Sequence, residues 1–147
     1  MTQVVPLAAG DGDAWLPLWA AYLTFYEHEL SAEQTALTFA RLTDPEFPVH
    51  GALAVDDSGR AVGLVHWMAH PSTWSDGPYC YLEDLYVDPD VRGGGLGRAL
   101  IATVTDWARD AGCSQVYWLT QSHNETARAL YNKLAEDTGF VHYAIEL

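Results

Sequence analysis

Four of the five residues from Gly93 to Gly97 are glycine, and they sit where a strand pattern gives way to a helix pattern. Glycine has no Cβ, so the backbone there can turn tightly and approach a ligand closely. Its N–H groups can converge, and the helix beginning near Gly97 adds the partial positive charge of its N-terminus. Together these make a cradle for a phosphate or pyrophosphate. A tight turn without a ligand is the plainer alternative, but Arg92 at the head of the run favours an anion. A Walker loop would continue with Lys-Ser or Lys-Thr, whereas Arg98-Ala99 follows here. A dinucleotide fingerprint would need glycine at Arg98 or Leu100, depending on the counting frame.

The pattern around this loop reads as one compact α/β chain, with residues 1–147 expected to form a single domain. Asp13 to Leu30 carries apolar residues at helical spacing, with Asp13 as N-cap. Ser31 and Gln34 form a capping box that opens a second helix to about Leu42. His50 to Val55 and Arg60 to Met68 read as a hairpin around Asp56-Asp57-Ser58-Gly59. A strand spans Tyr79 to Val87, then a helix runs from about Gly97 to Ala111, closed by Gly112. Gln115 to Thr120 is a strand, Asn124 to about Glu136 a helix, and Phe140 to Leu147 a last strand. A strand, a helix and a parallel strand in succession imply a right-handed crossover. The fold class is therefore α/β or α+β, a mixed central sheet flanked by helices.

Charge narrows the partners. There are 20 acidic side chains against 7 basic, a formal net charge of −13. Such a surface repels nucleic acid and anionic membranes and attracts cationic small molecules or basic peptides. Keeping the protein soluble is the alternative purpose of that charge. No apolar run reaches the roughly 20 residues of a membrane span. Residues 1–10 lack signal-peptide features, so a cytoplasmic location is expected. Cys80 and Cys113 lack metal-ligand spacing and read as small buried hydrophobes, a catalytic thiol being the alternative. His66 and His70 lie four apart, but a strand end and a Pro71 loop do not present a metal pair. No metal is expected.

Arg92-x-x-Gly95-x-Gly97 resembles the Arg/Gln-x-x-Gly-x-Gly/Ala signature of the GNAT N-acetyltransferases. Tyr86-Val87-Asp88-Pro89 looks like the end of their fourth strand. Asn124, Ala127, Leu130, Tyr131 and Gly139-Phe140 are similar to their C-terminal motif. The segment Tyr81 to Val87, with Cys113-Ser114-Gln115, is similar to the diamine and polyamine acetyltransferases and their histone/polyamine relatives. The residues Ala135 to Thr138 depart from the pattern by lengthening a usually short connection. The resemblance implies six to seven strands and about four helices, with a splayed strand pair holding the cofactor. It implies acetyl-CoA as cosubstrate and a primary amine as acceptor, such as a polyamine, another small cationic amine or a lysine side chain. An amino acid or aminoglycoside is the alternative acceptor, and a non-catalytic acyl-CoA-binding protein the alternative class. A homodimer is expected by analogy.

By the same resemblance, the pyrophosphate rests on the N–H groups of Gly93, Gly94, Gly95, Leu96, Gly97 and Arg98, with Arg92 on a phosphate or fastening the loop. The pantetheine lies along Leu85, Tyr86 and Val87, and Asn124 either bonds its amide, caps the helix or does both. Tyr131 is the candidate acid: a phenol can hand its proton to a departing thiolate. Glu83 is the candidate base, acting through a water. Glu83 and Asp84 are neighbours on a strand, so alternation predicts that only one faces a given cleft. Asp84 is assigned to amine binding or structure. Tyr22, Tyr26 and Trp74 are candidates to border a cationic acceptor, since aromatic faces with carboxylates favour cations.

Overall fold

The computed structural model describes residues 2–147. They divide into two compact units, with the boundary between Tyr117 and Trp118. The larger unit is built on β1 (Gln3–Pro6), α1 (Gly12–Phe25), α2 (Ala32–Leu42), β2 (His50–Val55), β3 (Ala61–His70), β4 (Tyr79–Val87), α3 (Leu96–Asp110) and β5 (Gln115–Tyr117). The strands follow sheet order β1-β2-β3-β4-β5. The first four pair antiparallel, and β4 pairs with β5 in parallel after the α3 crossover.

Trp15, Leu18 and Trp19 are one helical turn apart on α1 and all are buried. With Leu42, Leu53 and Leu64 they form the core on one face of the sheet. Neighbouring strand residues point to opposite faces, and Gly63, beside Leu64, faces α3. A Cβ at Gly63 would lie 3.2 Å from Leu100 and 3.1 Å from the Tyr86 carbonyl, so glycine is what lets α3 settle close. Leu100, Ile101, Val104 and Ala108 bury the apolar stripe of α3.

Several boundaries depart from the sequence reading. The α1 N-cap position is held by Asp11, whose carboxylate accepts the Ala8 N–H at 2.7 Å, so Asp13 belongs to the first turn. The helix also stops at Phe25 rather than Leu30. His28 N–H reaches the Leu23 carbonyl and Glu27 N–H the Thr24 carbonyl, a Schellman ending with Glu27 at φ 53° where glycine is usual. The same ending closes α3, there with Gly112 at φ 78°. Half of the Ser31–Gln34 capping box forms: the Ser31 hydroxyl accepts the Gln34 N–H at 3.0 Å, but the Gln34 side-chain amide donates instead to Thr38 Oγ1 at 3.2 Å, one turn on along the helix. The short strand β1 has too few residues to carry a periodic signal and was not anticipated.

The sheet has five strands among the described residues, fewer than six to seven. The ladder of β5 ends at Tyr117, short of Thr120. The smaller unit contains α4 (Glu125–Leu134), and residues 140–147 form no strand. A strand needs a neighbour for its backbone N–H and C=O groups. Phe140, Val141, Tyr143 and Ile145 stay exposed instead. The Ala135 to Thr138 segment follows the end of α4, where Asp137 pairs with Arg128 at 3.0 Å.

Candidate active site

The centre of the site is a register shift. His66 pairs with Asp84, but the next residue, Trp67, pairs with Leu82, so Glu83 opposes no residue of β3. A bulge of this kind breaks strict alternation and re-aims side chains. The expectation that Glu83 and Asp84 face opposite sides is thereby corrected: both line one cavity of about 170 Å³. His66, Met68, Phe47 and Arg41 also line it. The Arg41 guanidinium lies 4.8 Å from the centroid of the Phe47 ring.

Asp84 is surrounded by donors. The His66 Nδ1 lies 2.9 Å from its Oδ2, and the Tyr22 hydroxyl donates to the same carboxylate. Tyr26 packs edge-on against Tyr22 at 5.0 Å, and the Asp84 charge acts on both tyrosines. Burial first, and the Asp84 charge second, hold both phenols above their ordinary range, so they remain donors. Tyr81 is pushed up to about 12, by burial and then by Glu83 and Asp84. The two carboxylates also act on each other. Partial burial raises the Glu83 carboxyl, and the adjacent Asp84 charge raises it further. Trp74, in contrast, is 80% exposed and does not line the cavity.

The glycine loop takes its expected form. Gly93 and Gly95 have φ of 89° and 81°, and a Cβ at either would meet open space, so backbone conformation rather than crowding selects glycine. Gly95 caps α3, and the first carbonyl-bonded helical N–H is that of Ala99. The N–H groups of Leu96, Gly97 and Arg98 therefore stand at the helix mouth. Arg92 fastens the loop: its Nε donates to the Val87 carbonyl at 3.1 Å. β4 pairs with β5 only over Tyr79 to Tyr81. Beyond that ladder, Leu85, Tyr86 and Val87 have no β5 partner, as a splayed pair requires. A pyrophosphate-bearing cofactor fits such a loop and edge.

In the smaller unit Asn124 caps α4, its side chain accepting the Ala127 N–H at 3.3 Å. Tyr131 is half-buried on α4 with its ring 5.4 Å from that of Trp118. Cys80 is fully buried, and burial pushes its thiol up to about 12. Sequence reasoning missed His66 and Arg41. Neither belongs to a motif, and the register opposing His66 to Asp84 depends on a bulge that no residue pattern announces.

A mixed sheet whose parallel pair opens beside a glycine-rich helix mouth defines an acyltransferase fold. The model of the acetyltransferase (GNAT) family matches residues 14–135, and the chain belongs to that family. It is 39% identical over 134 residues to the D-amino-acid N-acetyltransferase of Saccharomyces cerevisiae, covering 90% of this chain and 83% of that one. It is 44% identical over 63 residues to the thialysine N-epsilon-acetyltransferase of Bos taurus, covering 43% and 36%. Among solved structures, a ribosomal-protein-alanine N-acetyltransferase from Brucella melitensis superposes with TM-score 0.84 at 22% identity over the whole of both chains. An aminoglycoside N-acetyltransferase in complex with CoA superposes with TM-score 0.85 at 18% identity, covering 99% and 95%. The protein is an N-acetyltransferase of this family.

The raised Glu83 carboxyl has a consequence for stability. As pH rises past the ordinary value of 4.5, the unfolded chain releases the Glu83 proton before the folded chain does. Stability then falls across that window. Glu83→Gln should abolish this part of the fall and leave the variant the more stable on the alkaline side. Urea unfolding at a series of pH values measures it; parallel profiles for the two proteins would show that Glu83 is not perturbed.

Proposed function

We propose that this chain moves an acetyl group from acetyl-CoA to the primary amine of a small molecule held at Glu83 and Asp84. The observation that carries this reading is the bulge that turns both carboxylates to one cavity. The family match runs across the boundary between the two units, which supports treating residues 1–147 as one functional domain. Acetyl-CoA, when bound, supplies the acetyl thioester. The N–H groups of Gly93 to Arg98 would hold its pyrophosphate, and the open edge of Leu85 to Val87 its pantetheine, with Asn124 contributing from the head of α4.

An ammonium has no lone pair, so the acceptor must first lose a proton. Glu83 is suited to take it, through a water, because its raised carboxyl lies closer to the operating pH. Asp84 presents its carboxyl group to the ammonium from the same cavity. Backbone N–H groups on the free edge of β4 can donate to the developing oxyanion. By the family resemblance, Tyr131 would give its phenolic proton to the departing sulfur as the carbon–sulfur bond breaks and the amide bond forms, and the second proton lost by the nitrogen would restore the phenol, while the first leaves from Glu83 to solvent.

The acidic surface alone is compatible with a polyamine. The cavity lining argues for an amino acid instead. Arg41 shares the cavity with Glu83 and Asp84, and a guanidinium repels a second ammonium but matches a carboxylate. The similarity to a D-amino-acid N-acetyltransferase supports the same choice. The exposed apolar residues of 140–147 support a homodimer.

Thiol release should be measured with D- and L-amino acids, spermidine, lysine peptides and an aminoglycoside. Amino acids should give the highest kcat/KM. Arg41→Ala should cost about tenfold or more with amino acids, the worth of a charge-assisted pair, and little with spermidine. Preference for spermidine would return the polyamine reading; no release with any amine, despite CoA binding, would overturn catalysis. Tyr131→Phe should lower kcat by about a hundredfold, the range of a general acid, while acetyl-CoA affinity stays near wild type. An unchanged kcat would make Tyr131 a packing residue. Light scattering should give twice the 16.2 kDa chain mass; a monomer at high concentration would refute the dimer.

A further inference from the structure

His66 is a buried histidine, 3% exposed, between two hydrogen-bonding neighbours from different elements. On one side the indole Nε1 of Trp15, on α1, lies 3.0 Å from its Nε2. On the other its Nδ1 lies 2.9 Å from Asp84 Oδ2, on β4. An indole N–H can only donate, so Nε2 must present its lone pair. The imidazole proton then sits on Nδ1, where it is donated to Asp84. Both bonds are satisfied by one tautomer of the neutral ring, and only that one.

We propose that Trp15 and His66 form a positioning pair that fixes the Asp84 carboxylate for recognition of the acceptor ammonium. This rests on the reading of the cavity as the acceptor site. Trp15 selects the tautomer, His66 transmits it, and Asp84 is left with one oxygen tied to the ring. Its remaining acceptor capacity is shared between the Tyr22 hydroxyl and the substrate. Rotation of the carboxylate is thereby restricted, and the ammonium meets a charge held in one direction. The groups around this line are Tyr22 on α1, Tyr26 at the cap that follows it, Glu83 on β4 and Arg41 on α2. Glu83 has no such tether, which leaves it free to accept a proton. The bulge puts the two carboxylates side by side, and the histidine makes them different.

The pair makes a spectroscopic claim that needs no activity. Long-range proton–nitrogen NMR spectra of the wild-type protein at neutral pH should show His66 with a protonated Nδ1 and a bare Nε2. A protonated Nε2 would refute the pair outright, whatever the enzyme acetylates.

The kinetic arm compares two substitutions. His66→Leu removes the donor to Asp84, while His66→Asn places an amide N–H where Nδ1 stood. With the acceptor that wild type turns over best, His66→Leu should raise the amine KM about tenfold or more, the worth of a hydrogen bond to a charged group. The acetyl-CoA KM should be unchanged, and His66→Asn should recover most of the loss. An amine KM unchanged in folded His66→Leu, or no recovery in His66→Asn, would reduce His66 to a packing residue. Wild-type turnover in the same assay tests the acceptor-site reading separately. Should His66→Leu not fold, His66→Asn and the wild-type spectrum still decide: an amine KM raised as far as tenfold in His66→Asn would overturn the positioning role.

Discussion

Everything distinctive about this site depends on one dislocation in the β3–β4 ladder. Had the register run on past His66, Glu83 and Asp84 would point to opposite faces, one into the aromatic layer around Trp19 and one towards α3. Skipping Glu83 brings both carboxylates to one cavity. The sheet gives up a rung of its ladder there. What the fold gains is a doubly acidic wall that can be neutralised only by a cation, or by keeping one group protonated.

The surrounding residues distribute that burden unequally. Asp84 lies beneath α1 with His66, Tyr22 and Tyr26 about it, every one of them a donor or a partial positive edge. Glu83 is tied to none of these by a hydrogen bond, and partial burial, with the Asp84 charge next, raises its carboxyl. Two neighbouring carboxyl groups so differently surrounded are suited to different tasks, which is the basis of the roles proposed above. The aromatic core is part of this arrangement. Trp15 stacks on Trp19 at 5.5 Å and the stack continues to Tyr22, so the hydrophobic packing that anchors α1 also sets the polar edge facing Asp84.

How much of this was legible in the sequence follows from the range of the forces involved. The glycine loop, the Ser31 cap, the 56–59 hairpin turn and the Gly112 helix end are local, and each is where its residues indicate. Local rules failed where a longer interaction won. α1 ends five residues early because Glu27 takes up a left-handed conformation that a glycine would normally mark. The last apolar alternation, 140–147, reads as a strand, yet no partner satisfies it among the described residues. At the site, Tyr22 and Tyr26 were legible as helix neighbours, while His66 and Arg41 were not. Their meeting with the two carboxylates requires α2 and β3 to be folded onto β4.

The same long-range assembly bears on the acceptor. A chain of net charge −13 draws any cation, polyamine or amino acid alike, so the overall field selects little. Discrimination must come from the particular groups that line the cavity, Glu83, Asp84 and Arg41. A cavity with two carboxylates and nothing else would favour the most highly charged amine. On the reading proposed above, Arg41 on the same wall would reverse that order, because a polycation would bring a second ammonium towards a guanidinium. On the same reading, an acceptor with one ammonium and one carboxylate would meet complementary charge at both ends of this wall.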